Sequence, residues 1–253
     1  MGHIRLGVLP RTRNWQQVID LLLENASADT IADSVLRAAD RGLEIAKWDA
    51  GLHHAVYLLT QVVLAARDQN FTAALSTAGV TVGSEPGIYD LIGGFSEAMD
   101  THLRREGSRT DIGEMAQLAA VETLSALVGP QSRGLFGEDT KGAVFGFSTK
   151  EGFAKLSHDF FARFTQRFLT YHLDRELPNH IGVNKRFQNL SEHSQFLDAM
   201  RTHCYQAAEI VHTFSGGWYS KANFESGITP QKAKNFASYA VEKMRGELKV
   251  RGN

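Results

Sequence analysis

One cysteine, Cys204, stands in a chain of 253 residues. A single thiol cannot close an internal disulfide, so the fold must rest on its core, and a reducing, cytoplasmic setting is expected. Five prolines stand beside fifteen phenylalanines, so flat aromatic side chains supply much of that core. The net charge is −1, which leaves no global positive field to draw in nucleic acid or an anionic membrane. Long apolar runs are missing too. The closest, Ala55–Ala66, has 12 residues against the roughly 20 needed to span a bilayer. It reads as a helix buried nearly all round, central to the N-terminal half. The opening Met1-Gly2-His3-Ile4-Arg5 lacks the basic stretch and apolar run of an export signal.

Common catalytic and nucleotide motifs are also missing. No Gly-x-Ser-x-Gly elbow occurs, and Gly129-Pro-Gln-Ser-Arg-Gly134 has the wrong spacing for one. Gly137-Glu-Asp-Thr-Lys-Gly142 lacks the Walker spacing, and Glu138-Asp139 would repel a phosphate. Gly142-x-x-x-Gly146 has no strand–turn–helix setting for a dinucleotide. The ten histidines form no structural-zinc pattern, and no internal repeat is evident. ATP and NAD are therefore disfavoured as ligands.

What is present is a soluble globular composition, 43% hydrophobic and 22% charged, with repeated helical periodicity. The most informative stretch is Ser148–Leu177. Phe153, Leu156, Phe160, Phe164, Phe168 and Tyr171 recur there at three- and four-residue steps, the signature of an aromatic core face. Ser148 with Glu151 has capping-box spacing, and Pro178 should stop the helix at Leu177. Other helices are expected around Trp15–Leu22 and over Asp29–Lys47, Asp49–Asp68, Tyr89–Arg104, Asp111–Val128 and Glu192–Phe214. Asp111 and Glu114 suit the cap of their helix. The last helix follows Thr229 and Pro230, a natural N-cap and first residue. Ala78–Gly94 and Asn179–Asn189 read as loops, with Thr81-Val82 a strand fragment.

The predicted fold is all-α or mainly α, an irregular multi-helix bundle with long Gly-rich loops. A short N-terminal strand at Ile4–Leu9 or a hairpin arm at Ala143–Phe147 completes it. Residues 129–147 carry five glycines. They separate an N-terminal helical part, 1–128, from a C-terminal part, 148–253, or lie as a long loop over one continuous domain.

Several constellations could carry chemistry. His158-Asp159 is an adjacent pair in a helical setting, as helical phosphohydrolases of the His-Asp type use on a metal. The likeness is two residues long, and no family membership follows. His54 or His102 could serve as the upstream ligand. Asp174 lies 16 residues beyond His158, roughly 24 Å along one rod, too far to share an ion, and His172 is excluded likewise. Glu209-x-x-His212 has carboxylate-bridged metal spacing but no second copy. Asp49 and His53 share a helix face. Cys204 adjoins His203, yet neighbours on a helix point about 100° apart, so a buried thiol is expected.

Two basic regions could meet phosphates: Arg5, Arg11 and Arg13 near the N-terminus, and the last helix with Lys234, Lys243, Arg245 and Lys249. The latter also suit snorkelling beside an apolar stripe. Phe214-Ser-Gly-Gly-Trp-Tyr-Ser-Lys221 should break its helix at Gly216-Gly217 and present Trp218, Tyr219 and Lys221 on a loop. With Arg11, Arg13 and Trp15, that loop is the candidate partner surface; the alternative is a helix corner with its Trp in the core. The first expectation is a helical interaction or assembly component without catalytic activity or cofactor, bound to a protein partner or to itself. The alternatives are a divalent-metal phosphoester hydrolase using His158-Asp159, and a nucleic-acid-associated protein using the basic ends.

Overall fold

A computed structural model describes residues 12–105, 109–134 and 137–251. Twelve α-helices occur among them: α1 (Arg13–Leu23), α2 (Ala28–Ala38), α3 (Asp40–Ala46), α4 (Ala50–Ala65), α5 (Phe71–Thr77), α6 (Ile88–Arg105), α7 (Asp111–Thr123), α8 (Gly129–Ser132), α9 (Thr140–Phe145), α10 (Lys150–Leu173), α11 (Leu190–Ser226) and α12 (Pro230–Arg251). The only sheet among the described residues pairs Arg133–Gly134 with Gly137–Glu138. The architecture is an irregular all-α bundle. The strand expected at Ile4–Leu9 lies outside the described residues.

The aromatic run forms α10 and packs along α11 and against α7. Phe153, Leu156, Phe160, Phe164 and Phe168 are buried, and Tyr171 reaches out to donate to Asp111 at 2.7 Å. Phe161 is buried as well, because α10 has neighbours on more than one side. The same crowding buries Asp159, which single-face periodicity places mostly off the core. Residues Ala50–Ala65 are buried nearly all round, as expected, but α12 from the far end of the chain covers them together with α6 and α7. The hydrophobic core runs without a break from Val18 to Met244.

Short polar residues start most helices, often one position from the expected cap. Thr149, not Ser148, accepts from Gly152 N at 3.0 Å, and Ser148 is buried beneath it. Thr110, not Asp111, caps α7, which frees Asp111 for Tyr171. Thr110 also donates to Asp49 at 2.7 Å, and Asp49 in turn caps α4. These linked caps hold two helix starts where Gly51 meets Gly113 so closely that a Cβ on Gly51 would lie 2.5 Å from the Gly113 Cα. Thr229 caps α12 with Pro230 first, as expected. The helix expected over Asp29–Lys47 breaks at Ala39 into α2 and α3.

Three further expectations need correcting. Helix α10 ends at Leu173, and Pro178 is the second residue of a 3-10 turn, Leu177–His180, instead of stopping the longer helix. Residues 129–147 are not a loop. They hold α8, a minimal hairpin and α9, so the hairpin sits before Ala143–Phe147, which is itself helical. Thr81-Val82 forms no strand; its backbone lies against α6, where a Cβ on Gly94 would come within 2.5 Å of Thr81 O.

The largest correction concerns Gly216-Gly217. Helix α11 passes straight through both and runs for 37 residues. The physical reason is a close crossing. A Cβ on Gly216 would sit 2.4 Å from Lys150 O at the start of α10, whereas one on Gly217 would meet nothing within 4 Å. The double glycine is a notch for a neighbouring backbone, and tertiary packing overrides its poor helix propensity. Gly216→Ala is expected to destabilise the protein by about 1–3 kcal/mol in chemical denaturation, and Gly217→Ala to leave it unchanged or raise it by up to about 1 kcal/mol.

Candidate functional site

Asp159 is fully engaged inside the protein. Its Oδ2 accepts from Thr123 Oγ1 at 2.8 Å and from Arg163 Nε at 2.6 Å, and its Oδ1 accepts from the Tyr205 hydroxyl. Burial, then the hydrogen bond to Asp159, pushes the Tyr205 phenol well above its ordinary range. The group ties α7, α10 and α11 together. His158 points to α11, with Nε2 2.8 Å from Tyr205 O and 3.6 Å from Glu209 Oε2. His212 extends the strip: its Nδ1 lies 3.7 Å from Glu209 and its Nε2 3.4 Å from Glu151.

His54 and His102 are elsewhere, on α4 and α6. Their rings stack at 3.6 Å between centroids, tilted by 8°. Imidazole lone pairs lie in the ring plane, so a face-to-face stack does not converge them on one ion about 2.1 Å away. The four proposed ligands thus form two pairs with different neighbours. Among the described residues, no group of three or more His, Cys, Asp or Glu side chains could hold a metal ion.

The remaining titratable candidates are fasteners. His203 is buried between two α2 carboxylates, with Nε2 3.1 Å from Asp33 and Nδ1 3.3 Å from Asp29. Cys204 beside it is fully buried, and burial pushes its thiol up to about 12, so it is no nucleophile. His53 Nε2 lies 2.9 Å from Lys47 O and 3.2 Å from Ser238 Oγ, and Asp49 acts on the ring through its charge. Arg245 forks onto Asp40 and also pairs with Glu44, joining α12 to α3. Lys243 lies over the Tyr239 ring, 5.3 Å from its centroid. Lys234 is half-buried, and the Lys249 side chain is outside those described.

The loop expected to carry a partner surface does not exist. Tyr219 is 2% exposed and stacks on Phe153 at 4.3 Å. Trp218 is half-buried and stacks on Phe236 at 4.1 Å. The alternative of a helix corner with its Trp in the core is not met either: α11 is continuous, Trp218 packs against the core half-buried, and Tyr219 is the buried ring. Trp15 is packed against the core, Arg13 and Lys221 are exposed, and Arg11 is outside the described residues. Lys221 lies 3.8 Å from Glu225.

Exposed aromatic side chains lie elsewhere: Phe224 on α11 is 92% exposed, Tyr89 on α6 75% and Phe145 on α9 51%, and others flank the place where α3 meets α12. Trp48 is 62% exposed, Ile45 51% and Tyr239 48%. Lys47 Nζ lies 5.4 Å from the Trp48 ring and pairs with Glu242, which is one turn beyond Tyr239 on α12. Ser238 clamps the junction by donating to Lys47 O at 2.8 Å. Tyr239 lies off the Ala233–Phe236–Ala240 stripe, so its exposure was readable from periodicity. Trp48 follows the last turn of α3 and carries no comparable signal.

Two of the surface clefts hold polar groups that bear on the candidate residues. One, of about 770 Å³, is lined by Asn70, Glu85, Glu138, Asp139, Thr140 and Lys141 among others. The starts of α5, α6 and α9 meet there, and Asn70, Glu138 and Asp139 cap them. The other, of about 350 Å³, lies between α4, α6 and residues 78–82, with His54 and His102 in its wall. No helix among the described residues is long and apolar enough to cross a membrane. Compared with protein-family models, curated proteins and solved structures, the chain matches none.

Proposed function

We propose that the protein is a helical assembly component without catalytic activity of its own, and that it associates with a second copy through the α3–α12 face. The observation that carries this reading is that Trp48 and Ile45 at the end of α3 and Tyr239 on α12 are each exposed beside a junction that Ser238 clamps. Large aromatic side chains held in place lose little conformational entropy on binding and dominate interface energetics. The rim holds both signs, with Lys47 and Glu242 paired and Lys243 beside Tyr239. Mixed charge around an apolar centre suits a two-fold interface, in which one patch must complement itself. The internal engagement of Asp159, His203 and Arg245 favours structural over catalytic work for these groups.

Trp48→Ser combined with Tyr239→Ser is expected to weaken self-association at least tenfold in sedimentation equilibrium. The denaturation midpoint should fall only modestly, because Trp48 is mostly exposed and Tyr239 gives up one edge contact, with Phe214. An unchanged association constant would remove this face from the assembly.

A further inference from the structure

We propose that the cavity between α4, α6 and residues 78–82 binds a small oxyanion, and that binding is coupled to proton uptake by the His54–His102 stack. The cavity measures about 350 Å³, within the range of small-ligand sites, and its wall includes His54, Thr81, Thr101, His102 and Arg105. Three cationic or cationisable groups therefore surround one space. The one carboxylate in the wall, Glu97, accepts from Arg104 Nη2 at 2.9 Å, which offsets its charge. Tyr57 also stands beside the stack, with its ring 5.9 Å from that of His54. Residues 78–82, Ala-Gly-Val-Thr-Val, add no ionisable side chain but bring the Thr81 hydroxyl.

Within this cavity the stack opposes protonation of His54. Burial, then the charge of the His102 ring 3.6 Å away, holds His54 down to about 3. An anion in contact with the rings reverses both effects, because it solvates an imidazolium and screens it from its neighbour. Binding must then take up protons, and affinity must rise as pH falls.

Sulfate is the useful probe, because its charge is constant over the range. Calorimetric titration at fixed ionic strength, with chloride as the reference salt, is expected to show saturable sulfate binding at least tenfold tighter at pH 5.5 than at pH 7.5. The enthalpy should vary with the buffer, reporting proton uptake. Malonate, titrated in parallel, tests whether carboxylates are accepted. His102→Phe keeps a flat ring and is expected to flatten the pH dependence. Arg105→Gln, at the exposed end of α6, is expected to weaken sulfate about tenfold without touching the stack. Absence of saturable binding, or binding unchanged in both variants, would overturn the proposal.

Discussion

Replacing Arg163 with methionine is expected to destabilise the protein by about 3–5 kcal/mol, the usual penalty for stranding one member of a buried ion pair. Asp159 is 6% exposed and would keep only the hydroxyls of Thr123 and Tyr205 as partners. Two neutral donors do not compensate a buried carboxylate that has lost its guanidinium. Asp159→Asn in the same chain should recover much of the loss, since the stranded charge is then gone. Urea denaturation of the two single variants and the double variant measures the coupling. If Asp159 were instead a solvated ligand position, Arg163→Met would cost less than about 1 kcal/mol.

Acid should be nearly as damaging. Burial, then the charge of His102, holds His54 down to about 3, and burial, then Arg175, holds His172 down to about 4. Unfolded histidines titrate near 6.5, so below that pH the unfolded chain gains protons that the folded protein refuses. The sign is therefore fixed. This contribution is complete above about pH 6.5 and is lost as pH falls towards 4 and 3. Between pH 7.5 and pH 5.0 each of the two residues should remove about 2 kcal/mol. Urea midpoints measured in buffers free of phosphate and sulfate would show this slope. The double variant His54→Asn, His172→Asn should show a flatter one, even though its stability at neutral pH is lower.

Much of the fold was legible because helical periodicity reports burial directly. The Phe153–Phe168 spacing, the apolar Ala55–Ala66 run and the Thr229-Pro230 start each reappear as α10, α4 and α12. Glycine is where local sequence misleads. At Gly216 and in 129–147 glycine reads as backbone freedom, whereas Gly216 provides room for the Lys150 carbonyl. Local propensity cannot distinguish those roles, because the second depends on a residue 66 positions away.

The candidate sites were less legible for the same reason. His158-Asp159 looked like a chemical pair because the residues are adjacent. Their partners, Thr123, Arg163, Tyr205 and Glu209, come from three helices and turn Asp159 into a structural tie. Trp218-Tyr219 looked exposed because a loop was expected there. Once α11 is continuous, both rings fall against Phe236 and Phe153. The exposed pair assigned to the interface, Trp48 and Tyr239, lies far apart in the chain. The α3–α12 contact, fixed by Lys47–Glu242 and Arg245–Asp40, brings the elements that carry them together.

Light-scattering mass measured across a dilution series of the unmodified protein tests the assembly reading most directly. The account predicts a mass that rises with concentration from 27.9 kDa towards twice that value. It further predicts that the Trp48→Ser, Tyr239→Ser variant stays at the lower mass. A constant 27.9 kDa at every concentration, in parent and variant alike, would contradict it.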